Sequence, residues 1–244
     1  NMTYATNKVK FADDPELKAS YRKSAGYAIN QVRSYLDNGY ISSWDDLYGS
    51  TIRQTNNKNK LVGDYQIIDF NGDGLINDDD QAPYQYTSIP QKTYSTTAGI
   101  EWKGFSVTLQ FYGVSNVTRE VSFPTFARES HTAFKEGSFW SPTSTEGKLP
   151  LPRWTTTVDN SSRGTRYYYD GAFLRLKNAE IAYTFKGSWV QRMKLNSLRV
   201  YLNGDNLLLW TDMPDDRESN FSGGGGSGAY PTVRRFNLGL DLTF

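Results

Sequence analysis

At 244 residues, with 27 Lys and Arg against 26 Asp and Glu, the chain has neither the basic excess a nucleic-acid partner selects nor an acidic tail. It contains no Cys, which excludes a disulfide framework and a thiolate metal centre. Aromatic residues make up 15% of the chain while only 37% is hydrophobic, a pairing that suits a sheet with one apolar face, one polar face and aromatic girdles.

No apolar run approaches the roughly 18 residues of a membrane-spanning helix; Leu207, Leu208, Leu209 and Trp210 form a far shorter one. The chain opens on Asn1, directly into what reads as the end of a strand and without a signal peptide, so an internal start is expected. From Ala25 to Gly63 periodicity is weak; Ser43, Trp44, Asp45, Asp46 and Leu47 read as the opening of a short helix between strands.

Residues 69–80 carry the spacing of an EF-hand-type loop. Ligands would come from Asp69, Asn71, Asp73, the Leu75 carbonyl, Asn77 and Asp80, with Gly74 at the sharp turn and Ile76 pointing inward. Ca2+ is the expected ion. Asp instead of Glu at the last position shortens the reach and leaves Mg2+ as the alternative, and the metal-free reading is a polar loop of Asx turns. Strands rather than paired helices flank the loop, which favours a stapling ion over a sensor.

Next come two alternating runs. Thr96, Ala98, Ile100 and Trp102 form one apolar face, and Phe105, Val107, Leu109 and Phe111 another, with Lys103 and Gly104 as a tight hairpin turn between them. After the long segment 114–170, Leu174 and Leu176 alternate with Arg175 and Lys177. The phase then slips before Ala179, Ile181, Tyr183 and Phe185, which predicts a β-bulge near Lys177 and Asn178. Leu198, Val200 and Leu202 repeat the pattern. The clearest case is the end of the chain, where Phe236, Leu238, Leu240, Leu242 and Phe244 share one face. Connections alternate too. The turn at Lys103 and residues 186–196 are short, whereas 70–92, 114–170 and 211–230 are long and rich in Gly, Pro, Ser, Thr and Asn. Short turns at one end and long loops at the other predict an antiparallel transmembrane β-barrel segment, with Arg175, Lys177, Arg199 and Arg235 facing inward.

Four segments in order carry a family resemblance. Gly63-Asp64-Tyr65 leading into the 69–80 loop is similar to a "GD…DVNGDGxIxxxD" segment, and FLRLKNAEIAYTF (173–185) to an "LRLKNxxLxYTxP" strand. LRVYLNGDNLLLW (198–210) matches "LRxYxxGxNLxxW", and YPTVRRFNLGLDLTF (230–244) matches "YPxxRxxxxGxxxxF". Over about residues 60–244 the chain thus resembles the C-terminal barrel portion of SusC-like TonB-dependent outer-membrane transporters of Bacteroidetes. The resemblance implies a plugged barrel of about 22 strands, with seven or eight of them in this chain and the plug outside it. It implies multi-pass residence in the bacterial outer membrane. It also implies partners: the rest of the barrel, a SusD-like surface lipoprotein as lid, TonB acting through the plug, outer-membrane lipid, and an oligosaccharide or peptide as solute.

Within the long third loop, Trp140, Trp154, Tyr167, Tyr168 and Tyr169 are candidates for stacking on a solute; girdle and loop packing are the alternative. An enzyme is not expected. His131 is the only histidine and has no nucleophile motif around it, and the GGGGSG run (223–228) lacks the Lys and Ser/Thr of a phosphate loop. The competing function is a secreted, soluble β-rich glycan-binding module with a structural calcium loop, in which the apolar faces would meet in a sandwich.

Overall fold

The computed structural model describes residues 1–49, 53–54, 60–120, 139–147, 151, 164–165, 168–213 and 232–244. Six antiparallel strands form one open sheet: β1 (Met2–Tyr4), β2 (Lys92–Trp102), β3 (Phe105–Ser115), β4 (Phe173–Phe185), β5 (Ser197–Thr211) and β6 (Arg235–Thr243), hydrogen-bonded in that order. Each of the six pairs only with the one before and the one after it in this order, the meander expected of a barrel wall.

The hairpin between β2 and β3 pairs Trp102 with Phe105 directly. Lys103 and Gly104 both have positive φ, at 46° and 91°, which is the turn whose twist matches that of the flanking strands. The expected bulge is present. Pairing of β4 with β3 jumps from Leu176–Phe111 to Asn178–Gln110, leaving Lys177 as the extra residue. Against β5 it jumps from Leu176–Leu208 to Asn178–Asp205, so Asn206 and Leu207 stand opposite Lys177.

Period-two geometry then sorts the sheet into two faces. Ile100, Trp102, Phe105, Ile181, Leu202, Leu208, Trp210, Phe236, Leu238, Leu240 and Leu242 are all exposed large apolar side chains. By register they share one side: Ile100 pairs with Val107, Ile181 with both Val107 and Leu202, and Leu202 with Leu238. Burying each would gain about 1.5–3 kcal/mol, so this face is built for an apolar medium. The opposite face carries Glu180, Arg199, Asn203, Asn237 and Asp241.

All short turns lie at one end of the sheet and all long connections at the other. Residues 186–196 form one of the short turns, with a single helical turn, Ser188–Arg192, that buries Val190. The sheet has six strands among the described residues rather than the expected seven or eight, because the first long connection is larger than the 70–92 loop read from the sequence. It runs from 5 to 91, and its described residues fold into a lobe. There Arg33–Tyr35 pairs with Gln81–Pro83 and Asp37–Tyr40 with Tyr65–Ile67 around a small core of Tyr35, Ile67 and Ile76. The expected helix is α1 (Trp44–Gly49), capped by Ser43, whose Oγ accepts the Asp46 N–H at 3.1 Å. The second long connection starts as a paired stem, Thr118–Glu120 with Tyr168–Asp170. Beneath it Val114, Val117, Phe173 and Met213 pack together on the inward side.

Candidate functional site

The polar face of the sheet is the first part of the site. Arg199 on β5 lies between two carboxylates on neighbouring strands. One guanidinium nitrogen bonds Glu180 and the other reaches Asp241 Oδ2 at 3.0 Å. Alternation makes this cluster inevitable, since Thr184 and Asp241 are the paired neighbours of Arg199 and Glu180 is on the same face as Thr184. The Tyr201 ring sits under the Arg199 guanidinium, 5.1 Å from its carbon. Further toward the long loops, Asn178 Nδ2 donates to Asp205 Oδ1 at 2.8 Å. Of the four cations assigned inward, Arg175 is nearly completely buried beneath the loop stem. Lys177 and Arg235 line a cleft with Asn178 and Asp205.

The second part is the loop 69–80. Asp69 accepts N–H bonds from Gly72 and Asp73 on Oδ1 and from Gly74 on Oδ2. Asp80, fully buried, accepts from Phe70 and Asn71 on one oxygen and from Asn77 on the other. Asp73 Oδ1 accepts from Leu75, Asn77 Oδ1 from Asp79, and Asn71 Nδ2 donates to Asp73 Oδ2. Gly72 and Gly74 take φ of 74° and 82°, conformations that glycine enters without a Cβ penalty. Ile76 points into the small core, as expected.

Asp69, Asp73 and Asp80 thus each accept backbone N–H bonds. Among the described residues, no group of three or more His, Cys, Asp or Glu side chains is gathered in a metal-holding arrangement. Tyr35 donates to Asp78 Oδ1 at 3.0 Å, and burial pushes its hydroxyl pKa above the ordinary value. Tyr21 donates to the Asp79 carbonyl and packs edge-on against Phe70; burial, and then the charge of Asp80, raise its pKa too.

The third part is the seam between the two long loops. Tyr40 stacks on Tyr65 at 5.2 Å, and its hydroxyl donates to the Gly147 carbonyl. Trp140, only 5% exposed, packs against Gly63 and Tyr40 and so turns its ring to the seam rather than to solvent. Tyr169 packs on the core beneath the loop stem, and Tyr168 tilts against Tyr84 of the lobe. Trp154 and Tyr167 lie outside the described residues. One exposed aromatic pair escaped the sequence reading: Trp44 and Tyr48, one helical turn apart on α1, stack at 5.9 Å.

No protein-family model matches the chain. Two curated proteins do, both from Formosa agariphila. TonB-dependent receptor P3 is 35% identical in an alignment of 116 positions that covers 43% of this chain, and TonB-dependent receptor P26 is 29% identical in one of 204 positions that covers 76%. The chain is similar in sequence to TonB-dependent receptors. It spans 11% and 20% of the length of those two proteins. Among solved structures it superposes on the RagAB peptide transporter with a TM-score of 0.62 at 17% identity. That match covers 91% of this chain and 23% of that one. The RagAB peptide importer in its closed-closed state gives 0.59 at 18% identity, over 91% and 24%. At such identities the superposition establishes the fold. The open six-stranded sheet is a segment of a β-barrel wall with long loops at one end, and the similarity to TonB-dependent receptors agrees with it.

Proposed function

We propose that this chain forms part of the wall and outward loops of a TonB-dependent importer in the bacterial outer membrane. In this reading the importer carries oligosaccharides or peptides and works with a SusD-like surface lipoprotein as lid. The observation that carries the reading is the sorting of the sheet: one unbroken apolar face against one charged face, with every long connection at the same end. A soluble sandwich would cover that apolar face, and among the described residues nothing covers it. Both sheet edges carry unpaired backbone groups that a bilayer does not satisfy, so the rest of the barrel pairs with β1 and β6. The lobe 5–91 and the seam at Trp140 form the outward surface against which a lid closes. Calcium is proposed for the loop on the strength of its spacing, with Asp69, Asn71, Asp73, Leu75, Asn77 and Asp80 as the ligand set.

The test is uptake. Deleting the gene abolishes growth on the imported oligosaccharide or peptide, and loss of TonB or of the proton gradient does the same with the protein in place. Growth that is indifferent to TonB contradicts the reading.

A further inference from the structure

The short-turn end of the sheet carries a band of rings on its apolar face. Trp102 pairs with Phe105 across the β2–β3 hairpin, and Phe105 pairs with Tyr183 on β4. From there the rings run on in contact: Phe105 to Tyr183 at 4.5 Å, Tyr183 to Phe185 at 4.5 Å, and Phe185 to Trp189 at 5.4 Å. Trp102, Phe105 and Trp189 are exposed. Trp189 belongs to the helical turn Ser188–Arg192, so the second short turn is tied to the same face as the first. The two turns also meet through backbone, where the Thr184 N–H donates to the Gly104 carbonyl at 2.8 Å.

Cations edge this band. Lys103 Nζ lies 4.9 Å from the centroid of the Trp102 ring, which holds the ammonium on the apolar side of the hairpin. Arg192 and Met193 follow Trp189 at the spacing that puts side chains on one side of a helical turn, whereas Val190 turns inward and is buried. Lys186 and Lys194 complete the second turn, and all four cations are exposed. Neither turn, 103–104 or 186–196, contains an Asp or Glu. Among the described residues none of the four forms an ion pair. Lys103 and Lys194 moreover sit at φ 46° and 58°, left-handed backbone that Gly or Asn enters at lower cost. Turn conformation does not select lysine at either place, which leaves the charge.

We propose that this rim is a binding site for an anionic phospholipid of the leaflet that the short turns meet. Lys103 and Arg192 take the phosphate oxygens, Lys186 and Lys194 add to the attraction, and the acyl chains lie along the rings. Trp and Tyr side chains suit the headgroup level because one end is apolar and the other polar. Continuity names the occupant. The band ends the face that the importer reading gives to lipid, and a cationic edge without carboxylates complements a phosphate there. The site rests on that reading.

The test is native mass spectrometry of the full-length transporter in mild detergent, titrated with dioctanoyl-phosphatidylglycerol and with dioctanoyl-phosphatidylcholine. The expected result is that the wild type binds phosphatidylglycerol about tenfold more tightly, the gain that two cations near a lipid phosphate supply. Lys103→Gln and Arg192→Gln each reduce that ratio severalfold, and the double Gln variant abolishes it. The double variant Lys103→Arg, Arg192→Lys keeps it, as does Lys8→Gln on the lobe. Equal binding of the two lipids by the wild type, or a preference that survives the double Gln variant, overturns the proposal. So does displacement of the lipid by glycerol 3-phosphate at matched concentration, which assigns the cations to a free phosphate. The importer reading is read separately, by growth. TonB-dependent growth without a lipid preference loses the site and keeps the importer. A lipid preference with growth indifferent to TonB keeps a membrane-embedded barrel and its lipid site, and loses the importer.

Discussion

Tyr94 lies across Gly113, the residue it pairs with on the next strand, so closely that a Cβ at position 113 would meet the ring at 2.4 Å and the Phe173 carbonyl oxygen at 2.6 Å. The Tyr94 hydroxyl reaches that same carbonyl at 3.3 Å. A missing side chain on β3 thus lets an aromatic ring from β2 lie flat on the apolar face and bond to β4.

Gly113→Ala is therefore expected to destabilise the barrel by about 1–3 kcal/mol, the usual range for overpacking a filled site. The Phe173 carbonyl is backbone and cannot swing away as a side chain can. Gly99→Ala is the control, since its Cβ meets only ordinary contacts at 3.7 Å. Thermal unfolding of the detergent-solubilised protein separates the two; equal melting temperatures contradict the packing argument.

The loop seam gives a second prediction. Gly63 has φ 93°, and a Cβ there would lie 2.4 Å from Trp140 Cε3 and 2.9 Å from Leu151 Cβ. Gly63→Ala should separate lobe 5–91 from the second long loop at a cost of about 1–3 kcal/mol. Tyr40→Phe, which removes only the hydroxyl bonded to the Gly147 carbonyl, should cost about 1 kcal/mol. Limited proteolysis reads both, as faster cleavage in 139–151 for Gly63→Ala and a smaller change for Tyr40→Phe.

For the loop 69–80, calcium should raise the melting temperature of the lobe. A free concentration one hundred times Kd corresponds to about 2.7 kcal/mol of stabilisation. Asp69→Asn and Asp80→Ala should each remove the calcium-dependent shift. Asp80→Ala should also lower stability without the ion, because three backbone N–H groups lose their acceptor. The same melting curve with calcium and with chelator contradicts the metal reading and leaves the hydrogen-bonded loop intact.

Acid should loosen the strap before α1. Asp14 Oδ2 accepts the Ser24 and Ala25 N–H groups, and Lys18 pairs with Oδ1 at 3.2 Å. The Ala25 N–H foremost, with the Lys18 bond behind it, holds the carboxyl below its ordinary range. A depressed folded pKa means that the contribution is complete above the unfolded value, about 3.9. It is lost as pH falls through the folded one. Amide-exchange protection at Ser24 and Ala25 should persist at neutral pH and fall away below about pH 4, whereas Asp14→Asn should lose it at both. Protection that is flat with pH contradicts the assignment.

The sheet was legible wherever one face is apolar and period two holds without interruption. Residues 236–244 announce their face directly, and the phase slip after Lys177 located the bulge because every later side chain changes sides there. The two residues that answer it on β5, Asn206 and Leu207, were hidden because they stand where a polar pair, Asp205 and Asn206, meets the apolar run 207–210, and alternation cannot be read across that junction. The Arg199 cluster was half legible: Arg199 was placed inward, but its carboxylate partners emerge only once register is known. Lobe 5–91 left no periodic signal because its strands are two to four residues long and its core joins Tyr35 to Ile67 and Ile76 across the chain. Aromatic content in the 114–170 loop pointed to solute stacking for Trp140, yet composition does not say which way a ring turns. The left-handed glycine at position 63 decides that by leaving room for it.

The central claim is that the apolar face of this sheet meets lipid. Its most direct test is fractionation of cells that express the full-length protein, followed by extraction. The account predicts recovery with the outer membrane, release by detergent and not by high salt or alkaline carbonate, and a folded band that shifts on heating. Recovery of the protein folded in the soluble fraction without detergent would contradict it.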